Sequence, residues 1–217
     1  MENKSILFNI ASRSRPEKYH KLLANLHEML IGDKHFIVTK VDIDDPFVDG
    51  YEPFLFEFLG KSENKIHAIN RDIPKDGWDI IVDLSDDFVI TKKGFDNIIR
   101  EHCGPDDCLH FPEPFAVSQN KNNRNDDIII MACMGREYYN RFGYIFNPIY
   151  KSLFADNENT AVAKKLGRYK FVDEQIFYHA HPAAGYGKAD AQTKHTESFW
   201  KEDQRTFNDR KAKGFPL

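Results

Sequence analysis

The chain has 217 residues, 41% of them hydrophobic and 13% aromatic, which is enough apolar surface to bury one sizeable core. Its 30 Lys and Arg against 34 Asp and Glu leave a net charge of -4, and the basic residues are scattered, so the basic stripe of a nucleic-acid-binding protein is missing. The apolar runs are too short for a signal-peptide core or a membrane span, and Cys103, Cys108 and Cys133 form no C-x-x-C pair. Those features predict a cytoplasmic protein with free thiols, without disulfides or a zinc ribbon.

In chain order, "SILFNIA" (5–11) is a short apolar strand followed by a polar turn, and Pro16 suits the first turn of a helix. From Pro16 to Leu30, Tyr19, Leu22, Leu23, Leu26, Met29 and Leu30 recur at helical spacing and form one apolar face. "HFIVTKVDID" (35–44) alternates as a strand does and runs into Asp42, Asp44 and Asp45. "SENKIHAINRDI" (62–73) opens on a Ser with an N-cap signal and places Ile66, Ile69 and Ile73 at helical spacing. "WDIIVDL" (78–84) is a short β-branched strand. Strand, helix, strand, helix, strand predicts an α/β fold: a mostly parallel central sheet flanked by helices.

The second half is less regular. "CLHF" and "DDIIIMACM" read as strands, separated by the polar loop 118–126. "DNENTAVAKKLG" (156–167) has acids at its start, Lys164 and Lys165 near its end and Gly167 as a stop, the charge order that suits a helix dipole. "YKFV" and "QIFYHAHP" are further strands. The polar tail carries Phe199, Trp200 and Phe207 as apolar anchors, which predicts one main domain over 1–190 and a helical arm over 191–217 packed on it.

Ligands of open parallel sheets bind beyond the carboxyl ends of the strands. "SRSRP", "VDIDD" and "DLSDD" all fall at such ends. Clustered carboxylates raise one another's pKa unless a cation sits among them, and Asp and Glu oxygens suit Mg²⁺ or Mn²⁺. Asp86 and Asp87 also suit a solvated turn, where they would cap the next element. His179 and His181, two apart on a predicted strand, point to one face and are candidates to complete a metal site. Asp156 sits at a predicted helix start, where an N-cap role explains it as readily as a catalytic one.

The order "ILFNIASRSRP", "VDIDD", "NKIHAINRDI", "WDIIVDLSDDFVI", "FADNENTAVAKKLG", over about residues 5–182, resembles the GT-A fold glycosyltransferases, especially family 2 and its small phage and bacterial relatives. The resemblance implies a metal-dependent enzyme that moves a sugar from a UDP- or GDP-sugar donor to an acceptor hydroxyl. The family's D-x-D triplet falls on Ser85-Asp86-Asp87, with Ser in place of the first acid. Its acid after the second strand matches Asp42 or Asp44, and its Lys and Asn before the metal strand match Lys65 and Asn70. Its E-D pair falls on Ala155-Asp156, with Gly167 downstream, and its late metal-binding histidine on His179 or His181.

On this reading Asp87, His179 and His181 hold Mn²⁺ or Mg²⁺, with Asp86 beside them, and Asp156 is the general base. Ser12, Arg13, Arg15, Asp42, Asp44, Lys65 and Asn70 surround the nucleotide. Direct displacement with Asp156 as base inverts the anomeric centre. Tyr138, Tyr139 and Tyr144 have either a core role or a sugar-stacking one, and loop 118–126 suits a lid. A sugar nucleotidyltransferase would share the acids but should carry a Gly-rich N-terminal phosphate loop, and "NIASRSRP" has no glycine. A non-catalytic nucleotide-sugar or carbohydrate-binding module on the same scaffold is the other alternative.

Overall fold

Apart from Asn9, residues 6–11 are apolar on both sides of the strand, and the structure, a computed structural model, buries residues 6–10 in the middle of the sheet. It describes residues 4–51, 59–113, 128–182, 185 and 188–217. The strands are β1 (Ile6–Ala11), β2 (His35–Asp42), β3 (Leu59–Gly60), β4 (Ile80–Leu84), β5 (Phe88–Ile90), β6 (Cys108–His110), β7 (Cys133–Gly135), β8 (Tyr169–Phe171) and β9 (Phe177–His179). The helices are α1 (Pro16–Met29), α2 (Lys65–Asn70), α3 (Phe95–His102), α4 (Arg136–Asn140), α5 (Ala155–Lys165), α6 (Ala191–Glu197) and α7 (Trp200–Ala212).

Seven strands form one sheet in the order β3-β2-β1-β4-β7-β6-β8. The pairs β1·β2, β1·β4, β2·β3 and β6·β8 are parallel, and β7 enters antiparallel between β4 and β6. The fold is therefore α/β with a mixed, mostly parallel sheet. Ile6, Phe8 and Ile10 of β1 pack with Tyr19, Leu22 and Leu26 of α1 and with Phe95 and Ile99 of α3. Leu7 faces the other layer, with Ile66 and Ile69 of α2, Ile81 of β4, Tyr138 of α4 and Ala163 of α5. This period-2 division of a strand that is apolar except at the buried Asn9 is what a sheet covered on both faces requires.

Several boundaries differ from the sequence expectation. The predicted helix at 62–73 shrinks to Lys65–Asn70 because Asn64, not Ser62, is the cap: its side chain accepts the His67 N–H. Ser62 instead accepts a hydrogen bond from Arg71 Nε at 3.0 Å. Of the strand predicted in "DDIIIMACM", only Cys133–Gly135 is regular. Ile129 and Met131 are buried as irregular backbone, with Ile129 N–H donated to Thr160 Oγ1 rather than to a ladder. Loop 118–126, the predicted lid, lies outside the described residues. The three cysteines are free and buried. Among the described residues, no helix is long and apolar enough to cross a membrane.

Beside the main sheet, β5 and β9 form a two-stranded antiparallel ladder whose register sets Phe88 opposite His179. That register brings a histidine from late in the chain to the end of β4. The Ala180 N–H donated to the Asp87 carbonyl at 2.8 Å closes the ladder there.

Candidate functional site

A cleft of about 960 Å³ opens beyond the carboxyl ends of β1, β2 and β4. Its walls include Ser12, Arg13, Arg15, Asp42, Asp44, Lys65, Asp86, Asp87, Asp156, His179 and His181. Residues from six separate sequence segments thus meet in one concavity, where open α/β sheets place their ligands.

Asp87 is buried, and its Oδ1 lies 3.0 Å from His179 Nε2. Ser85, which stands where the resemblance expects an acid, donates its hydroxyl to the same oxygen at 2.5 Å. Burial works to raise the Asp87 carboxyl, but the hydrogen bond and positive charge from His179, the Ser85 hydroxyl and Lys65 hold it well below the ordinary carboxylate range. His181 lies just past the end of β9 rather than on it, so strand alternation does not align the two imidazoles. A tight turn does: the His181 N–H is donated to the His179 carbonyl at 2.8 Å, and the ring centroids are 5.0 Å apart. Burial and the neighbouring His179 push His181 toward its neutral form.

The adjacent Asp86 does different work. Ser12 Oγ donates to its Oδ2 at 2.7 Å, and Arg15 Nη1 donates to its Oδ1 at 3.2 Å. Burial raises this carboxyl and Arg15 opposes the rise. Arg15 in turn grips Asp190 through Nε (2.9 Å) and Nη2 (2.6 Å) and reaches Thr193 Oγ1 at 2.7 Å. Arg15 is therefore a bracket between the acidic strand end and the start of α6, although it still borders the cleft.

At the end of β2, Arg13 Nη1 donates to Asp42 Oδ2 at 2.6 Å and to Asp44 Oδ1 at 2.7 Å. Asp42 is buried, and its second oxygen, Oδ1, makes no hydrogen bond. Arg71 Nη2 stands 3.8 Å from that oxygen, beyond hydrogen-bond reach. Asn70 is turned away from the cleft: its amide donates to the Phe146 carbonyl at 2.6 Å and accepts the N–H groups of Ile145 and Phe146, so it braces that loop. Tyr138, Tyr139 and Tyr144 are also absent from the cleft walls. Tyr138 is buried, Tyr139 packs edge-on against Trp78 at 5.3 Å, and Tyr144 stacks on Phe142 at 5.4 Å, so the core role is the one they fill.

Asp156 lies in the first turn of α5, whose cap residue is Phe154 in the left-handed region (φ 62°). It is thus inside the helix rather than its N-cap, and its Oδ1 accepts the Asn157 N–H at 2.9 Å. Burial raises its pKa, against the opposing pull of that N–H and of Lys65. A carboxyl shifted this way, half-buried in a cleft, is a proton acceptor of increased basicity.

The sequence reading missed how far the C-terminal segment enters the site. Gln192, Thr193, His195, Thr196, Glu197, Phe199 and Trp200 all border the cleft. Asp203 of α7, 1% exposed, accepts three backbone N–H groups, from Lys151 (3.0 Å), Ser152 (2.9 Å) and Leu153 (2.8 Å). It thereby anchors the loop that leads into Asp156. Arg210 pairs with the buried Glu158 of α5 through two hydrogen bonds, of 2.7 and 2.8 Å. No local motif marks these contacts, and the one clue is a lone acid at helical spacing from Phe199 and Phe207.

No protein-family model matches the chain, and no curated protein matches it. Solved structures do. One is a Drosophila β1,4-galactosyltransferase 7 mutant in complex with manganese, UDP-Gal and xylobiose, at TM-score 0.57 and 15% identity over 88% of this chain and 79% of that one. A second is the mannosyltransferase PcManGT of Pyrobaculum calidifontis with GDP-Man and Mn²⁺, at TM-score 0.61 and 14% identity over 97% and 74%. A third is S. aureus TarS 1-349 with UDP, at TM-score 0.61 and 15% identity over 95% and 71%. With seven strands in this order and the cleft at the strand ends, the fold of this chain is the GT-A fold of nucleotide-sugar glycosyltransferases.

Proposed function

We propose that the chain is a divalent-metal-dependent glycosyltransferase that moves a sugar from a UDP- or GDP-sugar to an acceptor hydroxyl, with inversion at the anomeric carbon. The observation that carries this reading is the placement of Asp87 Oδ1 3.0 Å from His179 Nε2 in the same cleft as the basic carboxylate Asp156. Two ligands at right angles on an octahedral ion, each about 2.1 Å from it, lie about 3 Å apart, so this carboxylate and imidazole have the spacing of neighbouring ligands. The carboxylate oxygen suits Mn²⁺ or Mg²⁺, and an imidazole nitrogen beside it favours the transition metal, Mn²⁺, of the two. Among the described residues, no group of three His, Cys, Asp or Glu side chains is arranged to hold a metal. Asp87 and His179, with His181 adjacent, would therefore supply part of the coordination, leaving positions for diphosphate oxygens and water. A bound divalent ion would stabilise the negative charge that builds on the leaving diphosphate. Neighbouring structures of the same fold contain manganese with UDP-Gal and Mn²⁺ with GDP-Man, which supports the choice of metal and donor class.

The chain's own residues divide the remaining work. Asp42 and Asp44 hold Arg13 on the cleft wall through hydrogen bonds of 2.6 and 2.7 Å, and the half-exposed Asp44 carboxylate is the acceptor open to a nucleotide N–H or hydroxyl. Lys65 lies on the cleft wall with a favourable field on both Asp87 and Asp156, and it offers a cation to the diphosphate. Asp156 takes the proton from the attacking hydroxyl, and a single in-line displacement inverts the anomeric centre. Ser12 and Asp86 shape the floor, and Arg15 ties it to α6.

Calorimetric titration of UDP and of GDP, with and without Mn²⁺, tests this reading. Wild type is expected to bind one nucleotide in a Mn²⁺-dependent way, and Asp87→Ala to weaken that binding by at least about tenfold. Binding indifferent to Mn²⁺ and to Asp87 would remove the metal assignment. Mn²⁺-dependent binding without transfer to any hydroxyl acceptor would leave a nucleotide-sugar-binding module.

A further inference from the structure

Lys40, on β2 two residues before Asp42, is 1% exposed and yet borders the cleft. A charged ammonium brings three N–H donors. Lys40 Nζ finds one acceptor, the Ile69 carbonyl at 2.7 Å, and shares it with Asn9 Nδ2 at 3.2 Å. Among the described residues, no carboxylate oxygen lies within 4 Å of that nitrogen. The charged groups that act on it are Asp83 of β4 and, past the end of α2, Arg71 and Asp72, while Lys65 of α2 acts on Asp83. Asp83 takes its hydrogen bond from Asn9 Nδ2, at 2.7 Å, and not from Lys40. Burial therefore dominates: it pushes Lys40 down to about 7 against the pull of Asp83, and it pushes the Asp83 carboxyl up.

We propose that Lys40 is an anion-responsive residue of the cleft, neutral in the free protein and charged when a nucleoside diphosphate is bound, so that the nucleotide and one proton bind together. The inference rests on the nucleotide-binding reading above and adds to it a residue that the acids and cations already assigned do not include. An ammonium that is desolvated and short of acceptors is costly, and loss of its proton removes that cost. An anion in the adjoining cleft reverses the balance, because attraction between charges is little screened where water is excluded. The ligand also brings the acceptors that the two remaining N–H groups lack in the protein.

The test is calorimetric titration of UDP and of GDP, with Mn²⁺, into the full chain at pH 8 in HEPES and in Tris, whose different ionisation enthalpies report the protons exchanged. At that pH an ordinary histidine and the nucleotide phosphates have already released their protons, so neither supplies the signal. Wild type is expected to take up about 0.9 proton per nucleotide bound, and its affinity is expected to fall roughly eightfold between pH 7.5 and 8.5. Lys40→Met, close in size and uncharged, is expected to show no uptake and an affinity that stays constant over that range. Nucleotide binding without proton uptake overturns the proposal and leaves the nucleotide reading standing. Uptake that persists in Lys40→Met overturns it as well. If Lys40→Met does not fold, Asp83→Asn decides: uptake retained there supports Lys40, and uptake lost assigns the proton to the carboxyl and overturns the proposal. A chain that binds neither nucleotide ends both readings at once.

Discussion

Asp156→Asn is expected to lower transfer by about three orders of magnitude, the middle of the range for removing a positioned general base, while the Mn²⁺-dependent affinity for nucleotide stays near that of wild type. The substitution keeps the shape of the side chain and its acceptor oxygen for the Asn157 N–H at 2.9 Å, so the start of α5 has no reason to move. What it removes is the basic oxygen. The pH profile carries an independent signature. Burial disfavours the charged form of Asp156, so its proton is retained to higher pH than on an ordinary Asp, near 3.9. A base must be ionised to act. The acidic limb of kcat should therefore lie above the ordinary Asp range, with activity lost as pH falls through that raised pKa, and single-turnover rates measured across pH would show it. A limb at or below the ordinary value would assign the proton transfer to another group.

The second large effect is expected far from the chemistry. Asp203→Ala leaves the N–H groups of Lys151, Ser152 and Leu153 without their acceptor in a place where Asp203 is 1% exposed. At about 1 kcal/mol for each lost hydrogen bond, the loss is about 3 kcal/mol, which for a chain of this size lowers Tm by roughly 6–12 °C. Asp203→Asn keeps one acceptor oxygen but turns an NH₂ group toward the third amide, so an intermediate loss is expected. Because loop 151–153 leads directly into Phe154 and Asp156, kcat should fall in both variants at temperatures well below the melting transition. A variant that melts early but keeps wild-type kcat when cold would show that Asp203 holds the fold without positioning the base.

Neither of these roles is legible in the local pattern, and the acidic stretch at the end of β4 shows why. "DLSDD" looks like one acidic cluster, yet its three carboxylates do three jobs. Asp83 lies within β4, buried, and accepts from Asn9 at 2.7 Å, with burial pushing its carboxyl up. Asp86 is held by Ser12 and Arg15, and Asp87 by Ser85 and His179. Asp83 lies inside β4 and the other two past its end, but only the fold brings Arg15 to one acid and His179 to its neighbour. Asn70 shows the opposite case, since its position matched the pattern and its amide is spent on the backbone of 145–146.

By itself the amino-acid sequence determined the α/β class, the core-forming strands β1, β2 and β4, helix α1 and the acids at the strand ends, because apolar period, caps and strand-end composition are local properties. It also placed Asp156 at the head of α5 and set Gly167, with φ +66°, just past its end. Tertiary structure alone decided which polar groups meet: Asp87 with His179, 92 positions away, Arg15 with Asp190, 175 away, and Asp203 with the Ser152 N–H, 51 away. It likewise turned the C-terminal segment from an appendage into a wall of the cleft. The physical reason is that side-chain hydrogen bonds act over about 3 Å, and which distant residues come within that distance is settled by how the layers pack, not by the spacing along the chain.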